Sequence, residues 1–479
     1  MISWGISGNS HDAALAVFVD EKLVFATETE RFNRIKNSPE LSHTLVSYAK
    51  YMWGDPDRVY WYENPYKKIA RQLYAGQGFS WEENSVKRYL SKWNINCPIV
   101  YNDHHHSHAA AGYFTSKFDE SCVVVIDSIG EFDTVSIWKA TENKLKKVWS
   151  KKYPYSIGLF YSAMTQAVGL KPNEEEYILM GMAAFGDRNK KKNHIKHLFE
   201  TTNFHKGIGA WPENESYVEV AAATQFVYEE ILIDILKHAK ELVPSDNLVL
   251  MGGCALNCVA NSLIGSIFSN IWIYPNPGDA GSAIGAVLAN KPEWRIYTDW
   301  SNNFLGYDMG QKSSDYDIVD YLLKNKICGV ARGKAEFGPR ALGNRSLIAD
   351  PRGSEIKEKV NEIKQREQFR PFAPMILEEH VHNYFDMPTG WNTSPFMQVV
   401  AKCKSPQSFP GIVHVDGTSR VQTVGKHSGG LRKLLEQWYA KTNCPMLLNT
   451  SLNIKGQPMV NTITDAKDFE LQHSVKVFS

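Results

Sequence analysis

Residues 247–261 read Asn247-Leu248-Val249-Leu250-Met251-Gly252-Gly253-Cys254-Ala255-Leu256-Asn257-Cys258-Val259-Ala260-Asn261, an apolar strand, a double glycine and a helix start made of small residues. Glycine lets a flat ligand approach the backbone, and the free N–H groups of a helix start can meet an anion. Two earlier stretches repeat the theme. Residues 2–8 read as a short apolar strand that runs into the polar turn Gly8-Asn9-Ser10-His11-Asp12. The strands Ala13–Val19 and Leu23–Ala26 follow, separated by the turn Asp20-Glu21-Lys22. Next, Cys122-Val123-Val124-Val125-Ile126 reads as a buried strand ending at Asp127, with Ser128, Gly130 and Glu131 in its turn. Each turn alone resembles many hairpins; their order is the informative feature.

That order resembles the loops of the actin-like ATPase fold, in which two half-domains close on a nucleotide. Between the second and third loops, Leu159–Ala167 and Glu219–Lys240 carry apolar residues at helical intervals. Residues Arg188–Glu215 are largely polar and hold Gly207, Gly209 and Pro212, so they read mostly as loop. Pro292, Gly306 and Gly310 mark a boundary within Asn290–Gly310. The expected division is residues 1–305 and residues 306–479. A strand at Cys328–Gly333 opens the second part.

A chain of 479 residues is too long for one core. With 43% hydrophobic and 22% charged residues it falls among globular proteins rather than disordered ones. Lys and Arg number 53 against 52 Asp and Glu, so no global field draws it to nucleic acid or membrane. The basic runs Lys190–Lys192 and Lys146–Lys152 read as solvated faces. Seven scattered cysteines suit free thiols in a reducing cytoplasm, and the Cys254/Cys258 pair reads as small buried residues. Neither a secretory leader nor a membrane-spanning run is expected.

The densest group of metal-capable side chains is Asp103-His104-His105-His106-Ser107-His108. His104 and His108 are four apart on a helix-favouring run and share a face. Asp127 and Asp279, the latter in the tight turn Pro277-Gly278-Asp279-Ala280-Gly281, offer oxygen ligands. On spacing alone two readings stand: a transition-metal site, or a solvated histidine cluster with two turn aspartates. No Glu follows His104 in an HExxH arrangement, which excludes a zinc-protease reading.

Six separated motifs extend the picture: His104–Ala109, Met180–Gly186, Glu336–Ser346, Phe369–Pro374, Arg420–Val424 and Leu448–Asn453. Together they resemble the O-carbamoyltransferase family that includes nodulation-factor and antibiotic-tailoring enzymes (NodU/CmcH type), over nearly the whole chain. The resemblance implies an α/β architecture, with a two-subdomain actin-like (ASKHA) domain followed by a YrdC-like α/β domain. It implies formation of carbamoyl adenylate from carbamoyl phosphate and ATP, with Mg2+ accompanying the ATP. Transfer of the carbamoyl group to an acceptor hydroxyl follows. Fe(II) or another divalent transition metal is implied on His104, His108, Asp127 and Asp279. Arg340, Lys364, Arg370 and Arg420 are the expected carbamoyl phosphate residues, because a small dianion needs fixed cations. Gly252, Gly253 and Asn257 are expected along adenine and ribose, and Glu219 on the ribose hydroxyls, where the family more often has Asp.

His11 is the expected acid–base residue near the acceptor hydroxyl, as a neutral imidazole near its ordinary pKa. Lys36 is expected to stabilise the carbamoyl oxygen or phosphate, with Arg31 and Arg34 beside it on the acceptor side. Two departures from the family pattern stand out: Ile178 where Lys is usual, and Gln457 where Glu is common. The chain is also short for the family after Asp465. The expected acceptor is a hydroxyl on a sugar, a metabolite or a hydroxymethylated pyrimidine, free or in DNA. The expected location is the cytoplasm, and a homodimer is left open. Two rival readings remain, a nucleotide-binding sensor without transfer chemistry and a threonylcarbamoyl-transfer-like tRNA modification protein. The Gly338–Gly343 and Arg420–Thr423 motifs argue against the second.

Overall fold

The computed structural model describes residues 1–212, 216–299, 303–310 and 313–479. Its first sheet contains β1 (Ile2–Ser7), β2 (Ala14–Val19), β3 (Lys22–Glu28), β4 (Arg58–Trp61) and β5 (Ile99–Tyr101). They lie in the order β3-β2-β1-β4-β5, antiparallel through β1 and parallel from β1 to β5. The second sheet repeats this plan with β6 (Glu120–Gly130), β7 (Asp133–Thr141), β8 (Lys144–Lys152), β9 (Asn247–Met251) and β10 (Asn270–Trp272). Its order is β8-β7-β6-β9-β10 with the same directions. This duplicated sheet is the actin-like ATPase arrangement that the order of loops had suggested.

The second sheet's central strand shows why the local sequence folds this way. Val123 and Val125 of β6 belong to the core of the first sheet, whereas Cys122, Val124 and Ile126 belong to the second core. Covered on both faces, the strand reads as one apolar run rather than an alternation. The His104–Tyr113 and Ser282–Leu288 helices pack together within the first of these cores. A methyl at Gly285 would stand 1.9 Å from the Ser107 carbonyl oxygen, and one at Gly5 would stand 1.8 Å from that of Ala283. Bare backbone is therefore required where the two helices and β1 meet. That contact brings the loops at one end of both sheets to a common cleft.

Helices occupy Ile157–Ala167 and Tyr217–Leu242, where periodicity placed them. The Arg188–Glu215 loop expectation is corrected: Lys192–Thr201 is a helix with Ile195 buried, and Phe204–Lys206 forms a single 3-10 turn. Ile195, Leu198 and Phe199 share one side and join the second core, a short apolar stripe masked by the surrounding lysines. The end of that stretch, residues 213–215, lies outside the described residues.

The remaining strands are β11 (Ile327–Ala331), β12 (Arg345–Ala349), β13 (Ala373–Leu377), β14 (Phe385–Asp386), β15 (Val400–Cys403), β16 (Thr418–Arg420), β17 (Gln422–Val424), β18 (Met446–Ser451) and β19 (Val477–Phe478). Six form a mixed sheet, β17-β13-β18-β12-β11-β19, and β14-β15-β16 form a small one. This part is laced to the second half-domain. Gln398 Nε2 donates to the Ile273 carbonyl (2.8 Å), Asn261 Nδ2 to that of Gln398 (3.0 Å), and Trp391 Nε1 to that of Asn261 (3.2 Å). We retain the division at residues 305 and 306 as a proposal; residues 300–302 and 311–312 beside it lie outside the described residues. Among the described residues, no helix is long and apolar enough to cross a membrane.

Gly285→Ala is expected to cost about 1–3 kcal/mol of folding stability through overpacking against Ser107. Urea unfolding checks this, and an unchanged midpoint would contradict the helix contact.

Candidate active site

His104 and His108 lie on one face of their helix, which starts just after β5. Asp127 comes from β6, and Asp279 from the turn before the Ser282–Leu288 helix. One ligand atom from each of the four lies within 4.8 Å of every other. His104 Nε2 is 2.9 Å from Asp127 Oδ2, 3.0 Å from His108 Nε2 and 3.3 Å from Asp279 Oδ1. His108 Nε2 is 3.2 Å from Asp279 Oδ1 and 3.6 Å from Asp127 Oδ2. Ligands about 2.0–2.2 Å from a shared tetrahedral centre stand roughly 3.4 Å apart, so these separations fit one small divalent ion. All four residues are buried, which removes the alternative of a solvated histidine cluster. Burial would raise both carboxyls, but the two facing imidazoles hold Asp127 and Asp279 below the usual range.

The support around this quartet was only partly legible. Glu131 Oε1 accepts the backbone N–H of His104 (3.1 Å) and of Asn64 (2.6 Å), fixing the start of the ligand-bearing helix. Burial pushes its carboxyl up to about 7, against the pull of His104. Gly130 is needed beside it, because a methyl there would lie 2.7 Å from the His104 ring. Gly253 N–H reaches Asp127 Oδ1 at 3.3 Å, so the double glycine also supports a metal ligand.

Asp127 and Asp279 of the quartet line a cleft of about 830 Å³, a size suited to a substrate pair. A cationic part of the same lining includes Arg340, Lys364, Arg366, Arg370 and Arg420. Burial and then the neighbouring Arg420 push Arg340 down to about 9; burial, Arg370 and Arg420 push Arg366 down to about 8. Burial first, and mutual repulsion second, disfavour the charged forms of these side chains. Lys364 differs from the expectation of a free cation. Its ammonium is 2.9–3.1 Å from Ser451 Oγ, Asn453 O and Asn453 Oδ1 and also donates to the Ser451 carbonyl, so it braces the wall. Arg366, which the sequence reading did not single out, stacks 4.2 Å from the Phe372 ring and takes a place in the wall.

The Glu336–Ser346 motif is mostly scaffold around Arg340. The Glu336 carboxylate accepts from the backbone N–H groups of Leu342, Asn344 and Arg345 (2.8–3.2 Å). The Arg345 side chain donates to the carbonyls of Tyr307, Arg332, Gly333, Asn344 and Asn461. Both side chains are buried, which leaves Arg340 as the motif's cation on the cleft.

Gly253 and Asn257 also line the cleft, beside Arg340, whose guanidinium donates to the Leu256 carbonyl at 3.4 Å, but Gly252 does not. Gly252 is required because its φ is +92° and a methyl would lie 2.1 Å from the Ile126 carbonyl. Glu219 is likewise absent from the lining, its carboxylate tied to Asp187 N–H (2.6 Å) and Lys190 (2.8 Å). Ten residues on, Glu229 lines the cleft with Gln225, which bonds both Glu229 (2.8 Å) and Asn257. The helical periodicity offered several acids and did not say which one faces inward.

His11 lines the cleft beside Asp12, with Nδ1 3.0 Å from Asp12 Oδ2. Its imidazole keeps 46% of its surface, exposed to the cleft. Burial lowers its pKa, yet the Asp12 hydrogen bond and the charges of Asp279 and Asp127 outweigh it and push the ring up to about 10. Its neighbours thus raise the ring above the ordinary value expected. Lys36 lines the cleft with its ammonium on both Glu30 oxygens (2.9 Å each). Arg31 is buried and Arg34 half-buried, both bonded to backbone carbonyls, so neither joins the acceptor side as expected.

Carbamoyltransferase N-terminus sequences match residues 46–205 and 188–288, and carbamoyltransferase C-terminus sequences match residues 319–479. An uncharacterized protein of Synechocystis sp. is 32% identical over 96% of this chain and 93% of its own length. Nodulation protein NolO of Bradyrhizobium diazoefficiens is 30% identical over 76% of this chain and 75% of its own. The 3'-hydroxymethylcephem-O-carbamoyltransferase of Amycolatopsis lactamdurans is 27% identical over 95% and 94%.

His104→Ala is expected to lower bound metal from one ion per chain to background with an unchanged circular dichroism spectrum; stoichiometric metal in the variant would sink the quartet. Burial pushes the Glu28 carboxyl on the cleft up to about 7. An acid raised by folding is neutral in both states below about 4.5 and costs stability as pH rises through 7. Glu28→Gln should therefore gain stability relative to the parent between pH 5 and 8. A flat difference across that range would contradict the shift.

Proposed function

The chain belongs to the carbamoyltransferase family, and on that premise we propose that it is an ATP-dependent O-carbamoyltransferase. One observation carries the reading: the two carboxylates of the imidazole–carboxylate quartet, Asp127 and Asp279, line the same cleft as the guanidinium groups of Arg340, Arg366, Arg370 and Arg420. In the proposed first half-reaction, carbamoyl phosphate and water yield carbamate and phosphate. A carbamate oxygen then attacks the α-phosphorus of ATP, and pyrophosphate leaves with the electron pair of the broken P–O bond. Arg340, Arg366, Arg370 and Arg420 hold the anions, and Lys364 with Ser451 and Asn453 keeps the wall in place. ATP arrives with Mg2+. In this reading the second part of the chain is the YrdC-like unit that makes carbamoyl adenylate.

The second half-reaction uses the other side of the cleft. Gly253, Asn257, Gln225 and Glu229 line the nucleotide's path. His104, His108, Asp127 and Asp279 would hold Fe(II) or another divalent transition metal, which supplies positive charge against the adenylate phosphate. The acceptor oxygen attacks the carbamoyl carbon, the bond to the phosphate oxygen breaks, and AMP leaves. His11 takes the hydroxyl proton at Nε2 while Nδ1 bonds Asp12. A cation held by Asp127 and Asp279 would offset the pull of these carboxylates on the His11 ring. The acceptor is a hydroxyl-bearing molecule, a class that includes the hydroxymethylcephem named for one relative.

Purified protein with Fe(II), MgATP and carbamoyl phosphate, and no acceptor, should form carbamoyl adenylate, or AMP and pyrophosphate that require carbamoyl phosphate. Mass spectrometry reads both. Arg340→Ala should lower that rate by roughly 10²–10³-fold, as losing a fixed anion-stabilising donor does elsewhere. An adenylate peak of parental size in the variant would remove Arg340 from the reaction, and no ATP turnover by the parent would overturn the reading in favour of a nucleotide sensor.

A further inference from the structure

The run Arg31-Phe32-Asn33-Arg34-Ile35-Lys36 follows β3, and its two arginines have no place in the reaction outlined above. Arg31 keeps 1% of its surface, and its Nη2 donates to the Gly338 carbonyl at 3.0 Å. Gly338 stands two residues before Arg340 and has a φ of +142°. A methyl on Gly338 would lie 2.9 Å from the Pro275 carbonyl, so this loop rests on the turn that leads to Asp279. The same turn is held from beneath: Asn276 Nδ2 donates to Glu28 Oε1 at 2.9 Å, and Glu28 Oε2 lies 3.8 Å from Arg31 Nε. Arg34 reaches the same half of the molecule, donating to the carbonyls of Pro458 (2.9 Å) and Met459 beside Gln457.

We propose that Arg31 is a positioning residue that sets where Arg340 stands relative to the metal-bearing turn. It thereby sets the affinity for carbamoyl phosphate, without touching substrate. The inference rests on the carbamoyl phosphate reading of Arg340. Stability alone is a poor explanation of Arg31. A fully buried guanidinium is expensive to desolvate, and its Nε and Nη1 have no hydrogen-bond partner. Its one strong bond runs to the loop that carries the cleft cation. The bracket spans the chain, from β3 to the Pro275–Asp279 turn and to the Gly338–Arg340 loop, so it ties the anion wall to the metal quartet. A shift of about 1 Å at such a contact is enough to change catalysis on the order of a hundredfold.

Two variants test the bracket from its two ends, Arg31→Lys and Gly338→Ala, each loaded with Fe(II). The measurement is acceptor-free AMP formation against carbamoyl phosphate and, separately, against ATP, with thermal midpoints alongside. Both variants should raise the KM for carbamoyl phosphate roughly tenfold or more. Their ATP KM should stay within about twofold, the pattern of lost substrate binding at one subsite. An unchanged carbamoyl phosphate KM in folded variants overturns the proposal. So does a parallel rise in both constants with a fallen midpoint, or failure of both variants to fold, because the bracket is then structural only. A parent enzyme with no carbamoyl phosphate-dependent AMP formation overturns the underlying reading instead.

Discussion

The contact between two short helices is the constraint on which the rest depends. His104–Tyr113 and Ser282–Leu288 approach so closely that Gly285 meets the Ser107 carbonyl with no room for a methyl. Ser107 stands between His104 and His108, and Asp279 stands just before the opposing helix. Backbone packing therefore brings together members of the quartet that are up to 175 residues apart in sequence, from His104 to Asp279. An interior packed this densely transmits any change in helix spacing directly to the ligands.

The cleft lining carries both charges, with Asp127, Asp279, Glu28 and Glu30 among its acids and Arg340, Arg366, Arg370 and Arg420 among its cations. Neither cluster is stable in isolation: like charges crowd one another, and burial opposes both. Scaffold residues carry the cost. Glu336 and Arg345 hold the Arg340 loop through backbone groups, and Glu131 holds the helix that bears His104.

Much of this was legible in the residues. Strand, polar turn and strand-Gly-Gly-helix, in that order, predicted the duplicated sheet, because buried strands read as apolar runs and turns need glycine or short polar residues. The spacing of His104 and His108 predicted a shared face because a helix returns every 3.6 residues. The loop at 188–215 was misread because three apolar residues are a faint signal among lysines. Glu219 misses the cleft and Glu229 lines it because a long amphipathic helix offers acids on several faces. Lys364, Arg31 and Arg34 could not be told from cleft cations, since charge in a sequence says nothing about which carbonyls lie nearby.

By itself the sequence determined what is set by short-range periodicity and residue chemistry. That comprises the two actin-like half-domains, the helical histidine pair, the glycine turns and a reserve of arginines in the second half of the chain. Only the tertiary structure decided which arginines face the cleft and which bind backbone. It alone showed that Gly130 at the end of β6 and the Gly252–Gly253 turn pack against the quartet, and that Asp12, Asp279 and Asp127 surround the His11 ring. Those outcomes depend on distances between segments hundreds of residues apart, and on burial and the field of neighbouring charges. No local pattern encodes them.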